Sequence, residues 1–266
     1  MCLVIRLIKS LLKAKSFQRV SSLEEAYKLV KESPRNKIVA GGLWLKKGNA
    51  DVDTLIDLSL LGLDKIEDKK DYIEIGAMVS QRQFEKSELV PEMARKAVKS
   101  IMGPAFREIA TIGGSVYGKF GFSDVITGLL GYKVELVFYP ETTMSLEEYT
   151  RKPGFFDGVL THIRIYKEDL KAFFKKVGIT ALDYPILNIA VTKGKEYRVV
   201  VGSRPLVATR CEKAEAYLNE GGKDFEKAAE IVLEELKFGD SLATKADYRK
   251  QLALTYVRRG LEEVSK

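Results

Sequence analysis

Residues 110–124 read ATIGGSVYGKFGFSD. Two adjacent glycines, Gly113 and Gly114, stand between a threonine and a serine, and Asp124 follows ten residues after Gly114. A second pair, Gly41 and Gly42, lies in KIVAGGLWL. Glycine lets main-chain N–H groups approach a ligand with no Cβ in the way, and successive exposed N–H groups make an anion-binding nest. Two such loops on one chain predict a large phosphorylated ligand held at both ends. A single Gly-Gly carries little weight, since glycine commonly serves only to supply φ > 0 in turns. Neither loop fits G-x-G-x-x-G or G-x-x-x-x-G-K-[ST].

The polar residues around these loops suit a flavin dinucleotide. Amides of Gly41, Gly42, Gly113 and Gly114 are placed to meet pyrophosphate oxygens. Thr111 and Ser115 offer hydroxyl donors. Asp124 is either a ribose acceptor, as carboxylates are in other dinucleotide sites, or an ordinary helix cap.

Length and charge bound the reading. A chain of 266 residues, 45% apolar, buries a sizeable core, most naturally as two domains. The net charge of +7 is concentrated at the start, where residues 1–23 hold Arg6, Lys9, Lys13, Lys15 and Arg19 and no acid. Removing those five from the 44 Lys and Arg leaves 39, against 37 Asp and Glu, so no basic face for nucleic acid is expected. No apolar run reaches the ~18 residues of a membrane span, and the first apolar stretch is broken by Arg6 and Lys9, so neither a span nor a secretory signal is expected. Cys2 and Cys211 form no disulfide framework, which fits a cytoplasmic location. With these two cysteines and a lone His162, the chain by itself lacks ligands for an iron–sulfur cluster or a usual zinc site. No nucleophile–base pair stands out, and His162 sits in an alternating strand pattern as a structural residue.

Leu3, Val4, Leu7, Ile8, Leu11 and Leu12, interspersed with Arg6, Lys9 and Lys13, form a basic amphipathic pattern suited to a docking or interfacial helix, or else a ragged start. Ser22 and Glu25 make a capping box for a helix to about Lys31. Strands are expected at 37–40, 55–59, 72–78, 133–139 and 159–166, with helices at 81–89, at 91–101 and from Ser123 or Asp124 to about 131. Beyond a boundary near residue 167 come strands at 171–177, 186–191 and 197–202, then helices at 211–219, 224–237 and 246–264. Strands followed by helices, without strict alternation, predict α+β.

The segments KIVAGG, LIDLS, YIEIGAMVS, REIATIGGS with FSD, GVLTHIRI, FFKKV, DYPILNIAV, GSRPLVATRCEKAE and ADYRKQLALTYVRRGL occur in one order from about residue 17 to the end. In them the chain resembles the FAD-binding medium subunit of the molybdenum hydroxylases, the xanthine dehydrogenase, aldehyde oxidoreductase and carbon monoxide dehydrogenase family. The form GGSVYGKFGFSD is similar to xanthine dehydrogenase-like members. The resemblance implies an FAD-binding domain over 1–166, of the PCMH type and in two parts (about 17–70 and 71–166), followed by an α+β domain over 167–266. FAD would lie extended between the AGG and TIGG loops.

By that resemblance Val39, Ala40, Gly41, Gly42, Leu43, Trp44 and Leu45 wrap the pyrophosphate and flavin side. Ala110, Thr111, Gly113, Gly114, Ser115, Tyr117 and Gly118 line the other side, and Ser123 and Asp124 meet the adenosine ribose. Ile101 and Phe106 are apolar walls, Val159 and Leu160 touch the ring system, and Lys175 lies at its polar edge. Leu43 stands where the family usually has Thr or Ser, Ser115 replaces a common Asn, and Ile179 or Thr180 replaces an Arg. Trp44, unusual at its position, is a ring-stacking residue or a core residue. The implied activity is electron transfer, from 2Fe–2S clusters on a partner subunit, fed by a molybdopterin-binding subunit, through FAD to NAD+ or another acceptor. The alternative is a flavin-free subunit that only assembles the complex.

Overall fold

The computed structural model describes residues 12–47 and 51–266. Of the amphipathic N-terminal pattern, residues 1–11 lie outside the described residues. Residues 13–19, basic at Lys13, Lys15 and Arg19, are the strand β1 (Lys13–Arg19). It leads into α1 (Leu23–Glu32), where Ser22 Oγ accepts from the Glu25 N–H and the Glu25 carboxylate takes the Ser21 N–H. Two further strands, β2 (Lys37–Val39) and β3 (Asp51–Asp57), complete a parallel sheet in the order β1-β3-β2. Val20, Ala26, Ile56 and Leu58 fill the space between sheet and helix. The AGG loop leaves the C-terminal end of β2, the end at which parallel strands present ligand-binding loops.

A second, antiparallel sheet takes β4 (Ile66–Asp68), β5 (Tyr72–Gly76), β6 (Val134–Tyr139), β7 (Thr142–Ser145) and β8 (Val159–Tyr166) in the order β4-β5-β8-β6-β7. Strand β4 was not anticipated, and its pairing with β5 puts the division between the two parts before residue 66 instead of at 70. The long β5–β6 connection carries α2 (Gln81–Lys86), α3 (Glu92–Lys99), α4 (Pro104–Ile109), α5 (Ile112–Tyr117) and α6 (Asp124–Leu129). The central core of Ile75, Phe84, Ile112, Leu136 and Ile163 lies between these helices and the sheet. A further helix, α7 (Leu146–Arg151), follows β7.

The last sheet, β12-β11-β10-β9, is antiparallel, built from β9 (Lys171–Val177), β10 (Leu187–Lys193), β11 (Tyr197–Gly202) and β12 (Thr209–Arg210). Helices α8 (Glu212–Asn219), α9 (Phe225–Glu235) and α10 (Ala246–Ser265) cover one face. Side chains alternate across a strand, and β10 uses both faces. Leu187, Ile189 and Val191 enter the helical core, while Asn188, Ala190 and Thr192 meet the N-terminal domain. Thr192 Oγ1 donates to the Gly131 carbonyl at 2.8 Å, and Asn188 reaches α6. The whole is α+β, as expected. Among the described residues no helix is long and apolar enough to cross a membrane.

Helix α10 lies close on its sheet through Gly260, where a Cβ would stand 2.7 Å from the Phe173 ring and 2.8 Å from a Val191 methyl. Gly260→Leu is expected to lower unfolding free energy by about 1–3 kcal/mol through overpacking, read from urea denaturation. An unchanged midpoint would show that this packing is not tight.

Candidate functional site

The AGG bend packs against the residue that precedes the ATIGG segment. A Cβ on Gly41 would stand 2.0 Å from the Ile109 carbonyl oxygen, so the AGG bend is pressed against the end of α4. Gly42 has φ +66°, the left-handed region that glycine adopts without strain. Among the described residues no acceptor meets the N–H groups of Gly41 and Gly42, which leaves them available to an anion.

The TIGG segment is different, and here the expectation of a free amide nest is corrected. It is the first turn of α5, with Thr111 as N-cap accepting the Gly114 N–H at 3.1 Å. The Gly113 N–H donates to the Ala77 carbonyl at 3.0 Å, and the Ile112 N–H to Val79 at 2.9 Å. Gly113 is glycine because a Cβ would lie 2.4 Å from the Ala77 oxygen. These amides pin α5 to the β5–α2 turn and are not free to bind phosphate. Ser115 is also committed. Its hydroxyl donates to the Thr111 carbonyl at 2.7 Å and accepts from Gln81 Nε2 at 3.0 Å, so it has no second proton to give.

Between the domains runs a shallow, partly open cleft. Ile101, Met102 and Phe106 form one apolar wall, with Gln81 and Ser115 beside them. Ser123, Asp124 and Lys176 form the polar wall. Four rings close the mouth. Trp44 packs against Phe120, Phe122 and Tyr184 with centroids 4.7, 5.2 and 5.9 Å apart. Trp44 is thus a half-buried member of a tilted aromatic cluster at the cleft.

Ser123, not Asp124, caps α6, accepting the Ile126 N–H at 3.1 Å. Asp124 is 3% exposed. Its Oδ1 accepts from Asn188 Nδ2 at 2.9 Å and its Oδ2 lies 3.9 Å from Lys176 Nζ. Burial pushes the carboxyl up to about 6, with Asn188 and Lys176 pulling the other way. Lys176 Nζ also donates to the Ser100 carbonyl at 2.7 Å.

Other expected residues fall outside the cleft. Lys175 is one residue out of phase: its ammonium lies 5.3 Å from the Tyr256 ring on the α10 side, and the alternation of β9 turns Lys176 to the cleft instead. Val159 and Leu160 are enclosed in the cores flanking β8. Tyr117 stacks on Phe155 at 5.3 Å and donates to the Phe156 carbonyl. Gly118 ends α5, where a Cβ would meet the Phe120 ring. Val39, Ala40, Leu43 and Leu45 flank the AGG bend, partly buried. The Ala110 carbonyl accepts the Gln81 N–H at 2.7 Å. The sequence reading missed Gln81, Met102, Lys176, Tyr184 and Asn188. Only Asn188, a lone amide inside the apolar run DYPILNIAV, carried a signal.

Residues 12–165 match the family described as "FAD binding domain in molybdopterin dehydrogenase". The chain belongs to this family. Residues 172–264 match the "CO dehydrogenase flavoprotein C-terminal domain". The uncharacterized protein YgfM of Escherichia coli K12 is 28% identical over 178 residues, 66% of this chain and 68% of that one. Quinoline 2-oxidoreductase from Pseudomonas putida 86 shares the fold with a TM-score of 0.85 at 19% identity, covering 96% of this chain and 98% of that one. Carbon monoxide dehydrogenase from Hydrogenophaga pseudoflava, in a form lacking the Mo-pyranopterin moiety, gives 0.86 at 22%, covering 96% and 97%.

The family's cofactor is FAD, and the cleft residues have the chemistry to hold it. They provide unmet amides at Gly41 and Gly42, a buried carboxylate acceptor at Asp124, and aromatic and aliphatic walls. The position of Asp124 has a measurable signature. From 3.8 to about 6 the folded chain holds a proton at Asp124 that the unfolded chain has released, so stability falls as pH rises through this window. Asp124→Asn is expected to gain about 1–3 kcal/mol relative to wild type between pH 4 and pH 7. The attraction of Lys176 to the ionised carboxylate opposes this shift and is already part of it. Parallel pH profiles of urea denaturation for the two proteins would overturn the assignment.

Proposed function

We propose that this chain is the FAD-binding electron-transfer subunit of a multisubunit molybdenum hydroxylase. Asp124 is the observation that carries the reading. A buried carboxylate that is costly to desolvate and faces a cleft between two domains is arranged for a ligand with hydroxyl donors, as a ribose is. The Gly41–Gly42 amides, beside the same cleft, take the pyrophosphate. Ile101 and Phe106 exclude water from one side, and the Trp44, Phe122 and Tyr184 rings part to admit the dinucleotide and then cover it. When bound, FAD supplies the redox chemistry, taking up electrons singly and passing them on as a pair.

The residues of this chain bind and orient; none is needed as acid or base. His162 lies on β8 with its pKa lowered by burial, and no catalytic partner is assigned to it. We assign an iron–sulfur subunit as the electron donor and a molybdopterin-binding subunit as the site of substrate oxidation, in keeping with the family of the flavin domain. NAD+ is the proposed acceptor, in line with the xanthine dehydrogenase-like form of residues 113–124. The ring contacts at the mouth and the occupied Gly113 and Gly114 amides favour a second reading, a subunit that has lost FAD and only assembles the complex.

Trp44 is the chain's single tryptophan and lies at the cleft, so its emission reports on the site. Titration of the flavin-free full chain with FAD is expected to quench Trp44 and saturate at one equivalent, and NADH is expected to bleach the bound flavin in anaerobic stopped flow. A colourless chain whose Trp44 emission ignores FAD would establish the assembly role. Binding without bleaching would replace NAD+ as the acceptor.

A further inference from the structure

Gln81 opens α2 immediately after its cap, Ser80, and is 3% exposed. Its side chain lines the cleft alongside Ile101, Phe106 and Asp124. The orientation of its amide follows from its neighbour. Ser115 has one hydroxyl proton, given to the Thr111 carbonyl at 2.7 Å, so its contact with Gln81 at 3.0 Å must be as acceptor. Gln81 therefore presents its NH2 to Ser115 and turns its carbonyl oxygen elsewhere. Among the described residues no donor reaches that Oε1, although it is buried.

Buried side-chain oxygens are almost always hydrogen-bonded, and leaving one unmet costs about 1–3 kcal/mol. The surroundings do not explain the exception. The Gln81 main-chain N–H is satisfied by the Ala110 carbonyl, and Ser80 and Gln83 complete the capping box without it. An acceptor without a partner, on a side chain that lines the cleft and is held by Ser115, is suited to a ligand that brings an N–H or O–H donor.

We propose that Gln81 is a specificity-determining residue of the cleft, its Oε1 accepting a hydrogen bond from a donor on the adenosine half of bound FAD. The inference rests on the FAD reading above. It assigns Gln81 and Asp124 as two acceptors in one cleft, so the ligand must offer donors to both. The adenine amine and the ribose hydroxyls are the groups of that half able to do so. Ser115 acts as the positioning residue that holds the amide in register.

The test compares full-length wild type, Gln81→Met and Gln81→Glu, flavin-free, by Trp44 quenching and thermal midpoint. Gln81→Met is expected to weaken FAD binding about tenfold, the loss of one buried hydrogen bond. Its flavin-free midpoint should stay at or above wild type, because the orphaned oxygen is gone. Gln81→Glu replaces the NH2 that Ser115 accepts with a second acceptor oxygen, so it is expected to recover no affinity over Gln81→Met. Titrating wild type with the FAD analogue carrying hypoxanthine in place of adenine separates the donors. A tenfold loss seen in wild type and absent in Gln81→Met identifies the amine, and equal affinity for the two dinucleotides identifies a ribose hydroxyl. Equal FAD affinity in wild type and Gln81→Met, or a Met variant that is destabilised without FAD and recovers binding once folded, would overturn the proposal and leave Gln81 a structural residue. A wild type that binds no FAD would overturn the flavin reading itself, and this inference with it.

Discussion

A single buried pair holds the architecture of this site in place. Asp124 begins α6 in the first domain, and Asn188 reaches it from the start of β10 in the second, 2.9 Å away. Asn188 also lies 2.9 Å from Thr127 Oγ1, so one amide satisfies two groups across the domain boundary. An uncompensated carboxylate at this depth would be too costly to keep. With one Asn amide and the Lys176 ammonium beside it, the charge is tolerated but not fully neutralised.

The glycine pairs divide the labour in a way their spelling hides. Gly41 and Gly113 are both glycines of close approach, each pressed on a neighbouring carbonyl oxygen. Gly113 and Gly114 spend their N–H groups on Ala77 and on the Thr111 hydroxyl, which welds α5 to the β5–α2 turn. The weld positions Ser115 and Gln81 at the cleft floor. Only at Gly41 and Gly42 are the amides left over. The bend with free amides and the bend that braces α5 are therefore not equivalent.

The second domain contributes more than a lid. Its strand β10 is buried on both faces, apolar toward α10 and mixed toward α6. Arg210, held by Glu215 at 2.6 Å and paired with Glu147 of α7, adds a charged tie across the same boundary. Two-sided burial makes the register of β9 and β10 strict, because a slip of one residue would move every side chain to the wrong face. Lys176 and Asn188 reach the cleft by that register.

Much of the fold was legible in the chain itself. Alternation marked β8, β9 and β11 to the residue, since a half-buried or sandwiched strand must repeat its apolar positions every second residue. Ser22 with Glu25 marked α1, and the spacing of Leu252, Val257 and Leu261 marked α10. The short strand β4 escaped because three residues carry no period, and α4 and α5 escaped because glycine and proline mask helices of one or two turns. Asp124, Ile101 and Phe106 were legible as cleft residues through the collinear motifs. Lys175 was chosen over Lys176 because FFKKV offers two equal phenylalanines and two equal lysines, and local pattern alone does not set the phase. Gln81, Asn188 and the Trp44–Tyr184 contact join segments far apart in the chain. The sequence by itself determined the elements, the family and the chemical kind of ligand, because these depend on local periodicity and on residue type. Which amides stay free, which lysine turns inward and which oxygen is left without a donor were decided only by the packing of the two domains, since hydrogen-bond satisfaction is settled among neighbours in space.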